Sequence, residues 1–274
     1  METGSRGSVV RVGLAFLAGA TVVIGTSAGL QAKTGGTARV EAERAGDEAE
    51  ARALLERIDD LFRGEASSAT MRMEIRTARW ERTLRMQAWS RGTDQTLVRI
   101  LAPPRERGTS TLRVEGDLWN YLPNVDRTIK VPAGMMGASW MGSHFTNDDL
   151  VQETRFSEDY DFRIASRPGA DPQGIWIIEM TPKPRAPVVW GRVVTEIRDE
   201  DRLPVETRFF DERGRLMRTM SFHDVREVGD RRIPARIRLA PADKQGEYTE
   251  MIYEQIEFDP EIPEGTFTLQ ALRR

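Results

Sequence analysis

Thr70-Met71-Arg72-Met73-Glu74-Ile75-Arg76-Thr77 changes character at every step. In an extended chain Met71, Met73, Ile75 and Thr77 fall on one side and Arg72, Glu74 and Arg76 on the other, because successive side chains of a strand point to opposite faces. A segment of this kind has one dry face and one wet face, the mark of an antiparallel sheet covered on one side. The same period returns downstream. Ile233, Ala235, Ile237 and Leu239 alternate with Pro234, Arg236 and Arg238, and Val193, Thr195 and Ile197 alternate with Val194, Glu196 and Arg198. Glu115-Gly116-Asp117, Asp199-Glu200-Asp201, Asp211-Glu212-Arg213-Gly214 and Gly229-Asp230 each separate two such runs with turn residues. The pattern predicts about a dozen strands, at 70–79, 81–90, 96–101, 109–115, 117–122, 127–131, 161–167, 174–181, 191–199, 203–211, 215–225, 232–240 and 247–258.

N-terminal to this region the period is different. Ala51, Leu54, Leu55, Ile58, Leu61 and Phe62 recur at helical spacing, with Gly64 as the C-cap. One amphipathic helix with a single apolar stripe must lie against something apolar. A sheet of a dozen strands with one apolar face cannot stay flat, and it curls or doubles over. The expected fold is mainly β with some α. A strongly curved antiparallel sheet forms a half-open β-barrel, closed by the N-terminal helix and an apolar lid loop.

Composition narrows the function. The 274 residues carry 40 Lys+Arg against 43 Asp+Glu, a net charge of −3, which argues against a nucleic-acid partner. The absence of cysteine excludes disulfides, thiolate metal sites and cysteine nucleophiles. His144 and His223 are the only histidines. At the start of the chain Arg6 and Arg11 precede an apolar run from Val12 to Ile24, followed by small residues at Thr26-Ser27-Ala28 and Leu30-Gln31-Ala32. That layout reads as an export signal over 1–32, the apolar run being shorter than the roughly 20 residues a membrane span needs. Residues 33–48, rich in Gly, Ala and Glu, read as a flexible leader, and 49–274 as one domain.

The most unusual segment is 132–150. Met135, Met136, Trp140, Met141 and Phe145 stand among Gly134, Gly137, Ala138, Ser139 and Gly142. Glycine supplies backbone freedom and methionine an adaptable apolar surface, so the segment suits a lid over an apolar ligand. The plainer reading is a long connection that plugs the core. Asn147-Asp148-Asp149 reads as the cap of a short helix or turn. Met135, Met136, Met141 and His144 are also soft ligands of the kind that suits Cu(I), without a repeated spacing to support it. Ser143-His144 with Asp148 or Asp149, or His223-Asp224, offers acid–base groups but no nucleophile turn.

Trp140-Met141-Gly142-Ser143-His144-Phe145-Thr146-Asn147-Asp148-Asp149-Leu150 resembles the signature loop of LolA-like outer-membrane lipoprotein-sorting proteins. Glu115-Gly116-Asp117-Leu118-Trp119-Asn120-Tyr121-Leu122-Pro123, Arg231-Arg232-Ile233-Pro234 and Ile262-Pro263-Glu264-Gly265-Thr266-Phe267 are similar to other parts of that family, the whole covering about residues 50–272. His144 stands where the family more often carries Asp. The resemblance implies a periplasmic carrier, monomeric and without cofactor or catalysis. It would hold lipid or lipoprotein acyl chains and move them toward the outer membrane, alongside an inner-membrane permease of the RND or ABC type. An acyl chain of ~15 carbons gains on the order of 10 kcal/mol on leaving water, nearly what a bilayer offers, so transfer needs no chemistry in the carrier.

Parity then nominates the lining. Met71, Met73 and Ile75 share one strand face, and Ile233 and Ile237 another. Leu216, Met220 and Phe222 share a third, with Arg218 as the exception in the row. Trp119 and Tyr121 point together and suit a mouth, with Met135, Met136, Trp140, Met141 and Phe145 above. The alternative is an envelope protein with a filled core that binds a partner through its sheet.

Overall fold

The strand that carries Met71, Met73 and Ile75 runs Ala66–Arg76, near the middle of one thirteen-stranded antiparallel sheet in a computed structural model. The structure describes residues 31–151, 155–170, 173–186 and 188–273. In chain order the helices and strands are α1 (Gln31–Asp59), β1 (Ala66–Arg76), β2 (Glu81–Arg91), β3 (Gln95–Ala102), β4 (Ser110–Val114), β5 (Asp117–Leu122), β6 (Arg127–Val131), α2 (Asn147–Val151), α3 (Phe156–Asp159), β7 (Tyr160–Ser166), β8 (Ile175–Pro182), β9 (Arg192–Arg198), β10 (Pro204–Phe210), β11 (Leu216–Val228), β12 (Arg231–Pro241) and β13 (Tyr248–Phe258). The chain forms two compact units, Met1–Glu43 and Arg44–Arg274. The described part of the first is the opening of α1, and the second contains the sheet.

The export signal expected over 1–32 lies outside the described residues except for Gln31 and Ala32, which begin α1. The stretch 33–48, expected to be a flexible leader, is helical. Ala, Glu and Arg are strong helix formers, so a helix forms there without an apolar stripe to announce it. No described helix is long and apolar enough to cross a membrane.

Each strand pairs with its neighbour in sequence except across one break, and β1 pairs with β13. The sheet therefore opens between β6 and β7, whose outer edges have no ladder partner among the described residues. Strand twist curls such a sheet on itself. The two edges are joined by residues 132–159, which include the Met- and Trp-rich segment.

The burial pattern of β1 alternates through its length, as the alternation of residues 70–77 demands. Two coverings share the concave face. Ala51, Leu54 and Leu55 of α1 pack against Tyr160, Trp176, Ile178, Met180, Val193, Ile197 and Phe209, on β7 to β10. Trp140 and Phe145 pack against Met71, Met73, Ile75, Leu84, Met86 and Val98, with Ile237 and Leu239. Gly64 ends the helical region at φ +64°, and a Cβ there would meet an Asp259 carboxylate oxygen at 2.8 Å. The opposite face of β3 to β5 is also covered. Leu97 and Leu112 pack there against Ile262, Phe267 and Leu272 from the C-terminal segment. The remaining outer surface carries interleaved charges, such as Glu250 between Arg236 and Arg238.

Candidate functional site

Residues 138–151 build a strap from local interactions. Ser139 and Thr146 bridge in antiparallel fashion, and the Trp140 amide donates to the Phe145 carbonyl at 2.9 Å. Within it Ser143 N–H donates to the Trp140 carbonyl at 2.9 Å, closing a turn whose central residues, Met141 at φ +51° and Gly142 at φ +74°, carry the pair of positive angles of a mirror-image type I turn. The Arg82 guanidinium donates to the Met141 carbonyl and holds the turn against β2. Thr146 then caps α2. Its hydroxyl accepts from the Asp149 amide at 3.1 Å, and its own amide and hydroxyl each donate to Asp149 Oδ2 at 2.8 Å, a reciprocal capping box.

Three further anchors tie the strap to the sheet. Trp140 Nε1 donates to Thr111 Oγ1 on β4 at 3.1 Å. The His144 ring meets Thr249 Oγ1 on β13 at 2.8 Å and Glu247 Oε2 at 3.3 Å. Asp149 receives both terminal nitrogens of Arg218 on β11, at 2.5 and 2.7 Å. The Arg218 guanidinium carbon also lies over the rings of Trp190 and Phe209, 4.4 and 4.3 Å from their centres. Burial alone would raise the Asp149 carboxyl, but the charge and hydrogen bonds of Arg218 and the bonds from Thr146 outweigh it and hold the group below the ordinary carboxylate value. Replacing Trp140 with Phe removes the bond to Thr111 and leaves part of the space of the buried indole unfilled. Urea denaturation is expected to show a loss of about 2 kcal/mol.

A cavity of about 210 Å³ remains between the two coverings. Its wall includes Ile58 near the end of α1, Leu61 and Phe62 just after it, Phe145 and Leu150 from the strap, Phe156 from α3, and Met220, Phe222, Ile237, Met251 and Tyr253 from the sheet. The hollow has a cause in sequence. Successive cross-strand rows on β1, β2 and β3 read Ser67, Ser90, Thr96, then Ala69, Ala88, Val98, then Met71, Met86, Ile100. The first two rows are short side chains, and the space they leave is not filled by Phe145 or Leu150 above. Where the row is Met and Ile, packing is dense and Met86 is fully buried.

The structure brings together some of the expected lining and separates the rest. Met71, Phe145, Met220, Phe222 and Ile237 are on the wall. Met73 and Ile75 lie within the packed cluster under the strap, as does Trp140, and Met141 packs at its edge. Ile233 belongs to another cluster with Leu61 and Leu203. Met135 is largely exposed and Met136 half-buried, neither on the wall. Trp119 and Tyr121 are on the opposite face of the sheet, against the C-terminal segment. Parity shows that two residues share a face but not which face is hollow. The strap thus acts as a plug at Trp140 and as a roof at Phe145 and Leu150. Ser143 Oγ donates to the Phe145 carbonyl at 3.3 Å while the His144 ring turns to Thr249 and Glu247, so this Ser–His pair does not meet. His223 contacts Ser221 Oγ at 2.9 Å on the exposed surface.

Sequence reading missed the Arg218–Asp149 pair, the buried Arg63 and the short side chains of the hollow. Arg218 had left one signal, as the charge interrupting an apolar row.

No curated protein matches the chain. Three solved structures share the fold. The DUF1329 family protein from Desulfovibrio piger superposes with a TM-score of 0.74 at 21% identity, covering 82% of this chain and 99% of the other. The outer membrane lipoprotein-sorting protein domain from Vibrio parahaemolyticus gives 0.71 at 22% identity, over 81% and 98%. A LolA superfamily protein from Nitrosomonas europaea gives 0.67 at 22% identity, over 80% and 97%. A family model described as "Uncharacterized protein" matches residues 92–274. The chain therefore belongs to that family, and its half-open, strapped sheet is a LolA-like fold.

Proposed function

We propose that this protein carries lipid or lipoprotein acyl chains across the periplasm toward the outer membrane, as a monomer served by a membrane permease. The reading rests most on one observation, the unfilled hollow between strap and helix. Its volume of about 210 Å³ exceeds that of the ~150 Å³ apolar cavity that takes up benzene in an engineered protein. Scaled by that case, it accepts on the order of eight carbons without movement. Longer chains would need Phe145 and Leu150 to swing aside, which a strap held at a few points allows. The export signal read from residues 1–32 and the fold shared with a lipoprotein-sorting domain support the periplasmic placement. Carriage of this kind needs no catalytic group, because the hydrocarbon leaves one apolar environment for another.

Mass spectrometry of organic extracts from protein purified out of the bacterial envelope tests the proposal. Co-purified lipid in near-stoichiometric amount is the expected result. A lipid-free protein that also fails to bind a fluorescent acyl probe would leave the filled-core partner-binding reading in its place. A substitution sharpens the test. Ala88→Leu projects into the hollow, and is expected to weaken acyl-probe binding by roughly tenfold, the value of about two methylenes, while the melting temperature is unchanged or raised. Full affinity in this variant would place the acyl site elsewhere.

A further inference from the structure

The end of the sheet where β1 finishes is unlike the end where it starts. Trp80 stands between β1 and β2, Leu122 closes β5, Val125 follows it, Val189 lies between β8 and β9, and Leu216 and Met217 open β11. In this antiparallel order all of them fall at that one end, each between 37% and 59% exposed. Met135, 52% exposed, joins them from the strap, where a Cβ at nearby Gly137 would lie 3.3 Å from Val189 Cγ1. Single exposed apolar residues are ordinary on a protein surface, but their gathering at one end is not. The turns there touch one another and make a rim. The Ala78 amide donates to Glu247 at 3.0 Å, the Ala242 amide to the Met217 carbonyl at 2.9 Å, and Asn124 Nδ2 to the Arg105 carbonyl at 3.3 Å.

Charge divides the molecule along the same axis. The rim exposes Arg79, Arg105, Arg107, Arg185, Arg213 and Lys244. Three of its acids are engaged: Glu106 lies 3.6 Å from Arg82, Asp211 2.8 Å from Arg215, and Glu247 faces His144 and Lys244. Its other acids, Asp126, Glu212 and Asp243, are exposed. The turns at the opposite end are acidic, with Asp94, Glu115, Asp199-Glu200-Asp201, Asp230, Asp259 and Glu261 set against Arg63, Arg167 and Arg202.

We infer that the rim docks on an anionic lipid surface, with its apolar side chains in the headgroup layer and its arginines among the phosphates. This goes beyond the carrier reading and uses nothing of the hollow. Apolar residues that stand singly on separate turns, with polar residues between them, do not make the continuous core that a protein partner needs. A fluid lipid surface accepts them one by one, and the arginine stems lie along it. The acidic far end is repelled by the same surface, which orients the molecule with its rim toward the lipid.

The experiment is flotation of the protein purified from the envelope with vesicles of phosphatidylcholine alone, or of equal parts phosphatidylcholine and phosphatidylglycerol. Binding to the mixed vesicles is expected to be about tenfold tighter than to phosphatidylcholine, and to lose that advantage in high salt. Trp80→Ser is expected to weaken it about tenfold, and Val125→Asp combined with Val189→Asp by at least as much. Both variants are expected to keep the melting temperature and the acyl-probe binding of the parent. Leu269→Asp, at an exposed position away from the rim, is the control and is expected to float as the parent does. Failure to float with either vesicle, or flotation that survives the rim substitutions, overturns the docking site while the carrier reading stands. Sedimentation that reveals a dimer dissolved by the same substitutions assigns the rim to a second copy and likewise overturns it. A protein that floats but takes up no acyl probe keeps the docking site and loses the carrier reading.

Discussion

Asp149→Ala is expected to lower the stability of this protein by about 3–5 kcal/mol, the cost of leaving a buried guanidinium without its partner. Arg218 and Asp149 are both nearly inaccessible, with 6% and 11% of their side chains exposed. Removing the carboxylate strands the cation against Trp190 and Phe209 and also breaks the capping box of α2, which alone contributes about 1 kcal/mol. Adding Arg218→Met to Asp149→Ala should recover most of the loss, since an apolar side chain carries no desolvation penalty. Urea denaturation measures all three proteins, and a single variant as stable as the parent would mean that the strap is not held by this pair. The pH dependence follows from the depressed carboxyl. A group whose pKa is lower when folded stabilises above its unfolded value, here 3.8, and that contribution disappears as pH falls through the folded value. The strap is therefore expected to remain fastened at neutral pH and to loosen only in strong acid.

Leu55→Glu should have a comparable effect on the other covering. Leu55 is fully buried at the centre of the cluster formed by α1 with β7 to β10. A glutamate there loses the leucine contacts and places a carboxyl among Tyr160, Ile178 and Phe209, at a combined cost on the order of 5 kcal/mol. That is the entire stability of many domains. Ala53→Glu, two residues away on the exposed side of α1, is the control and is expected to change stability by less than about 0.5 kcal/mol. Thermal unfolding followed by circular dichroism distinguishes the two positions. Equal melting for both variants would mean that α1 does not dock on the sheet.

Much of the architecture is written in the sequence because a strand with one buried face must alternate, and α1 must repeat Ala51, Leu54, Leu55 and Ile58 to face the sheet. The limits are equally physical. Strand β1 begins at Ala66 rather than Thr70, since Ala66-Ser67-Ser68-Ala69 has no apolar rhythm and is drawn into the sheet by pairing with β2 and β13. Trp119 and Tyr121 looked like a mouth because they are large and share a face, but the C-terminal segment covers that face, a tertiary fact that no local pattern encodes. The hollow is defined by what is small. Ser67, Ala69, Ala88, Ser90 and Thr96 carry no signal in a search for greasy side chains, yet their shortness makes the space. Of the arginines on its wall, Arg218 alone was visible, as the interruption of an apolar row.

A closed barrel has a fixed girth, because every strand is bonded on both sides and enlarging the ring means breaking a ladder. Among the described residues this sheet has two edges without a ladder partner, β6 and β7, connected along the chain by residues 132–159. A slight change of twist at each pairing adds up along thirteen strands, so the circumference can grow while every backbone bond in the sheet stays intact. Under the proposed carrier role, one such scaffold would accept contents of several thicknesses.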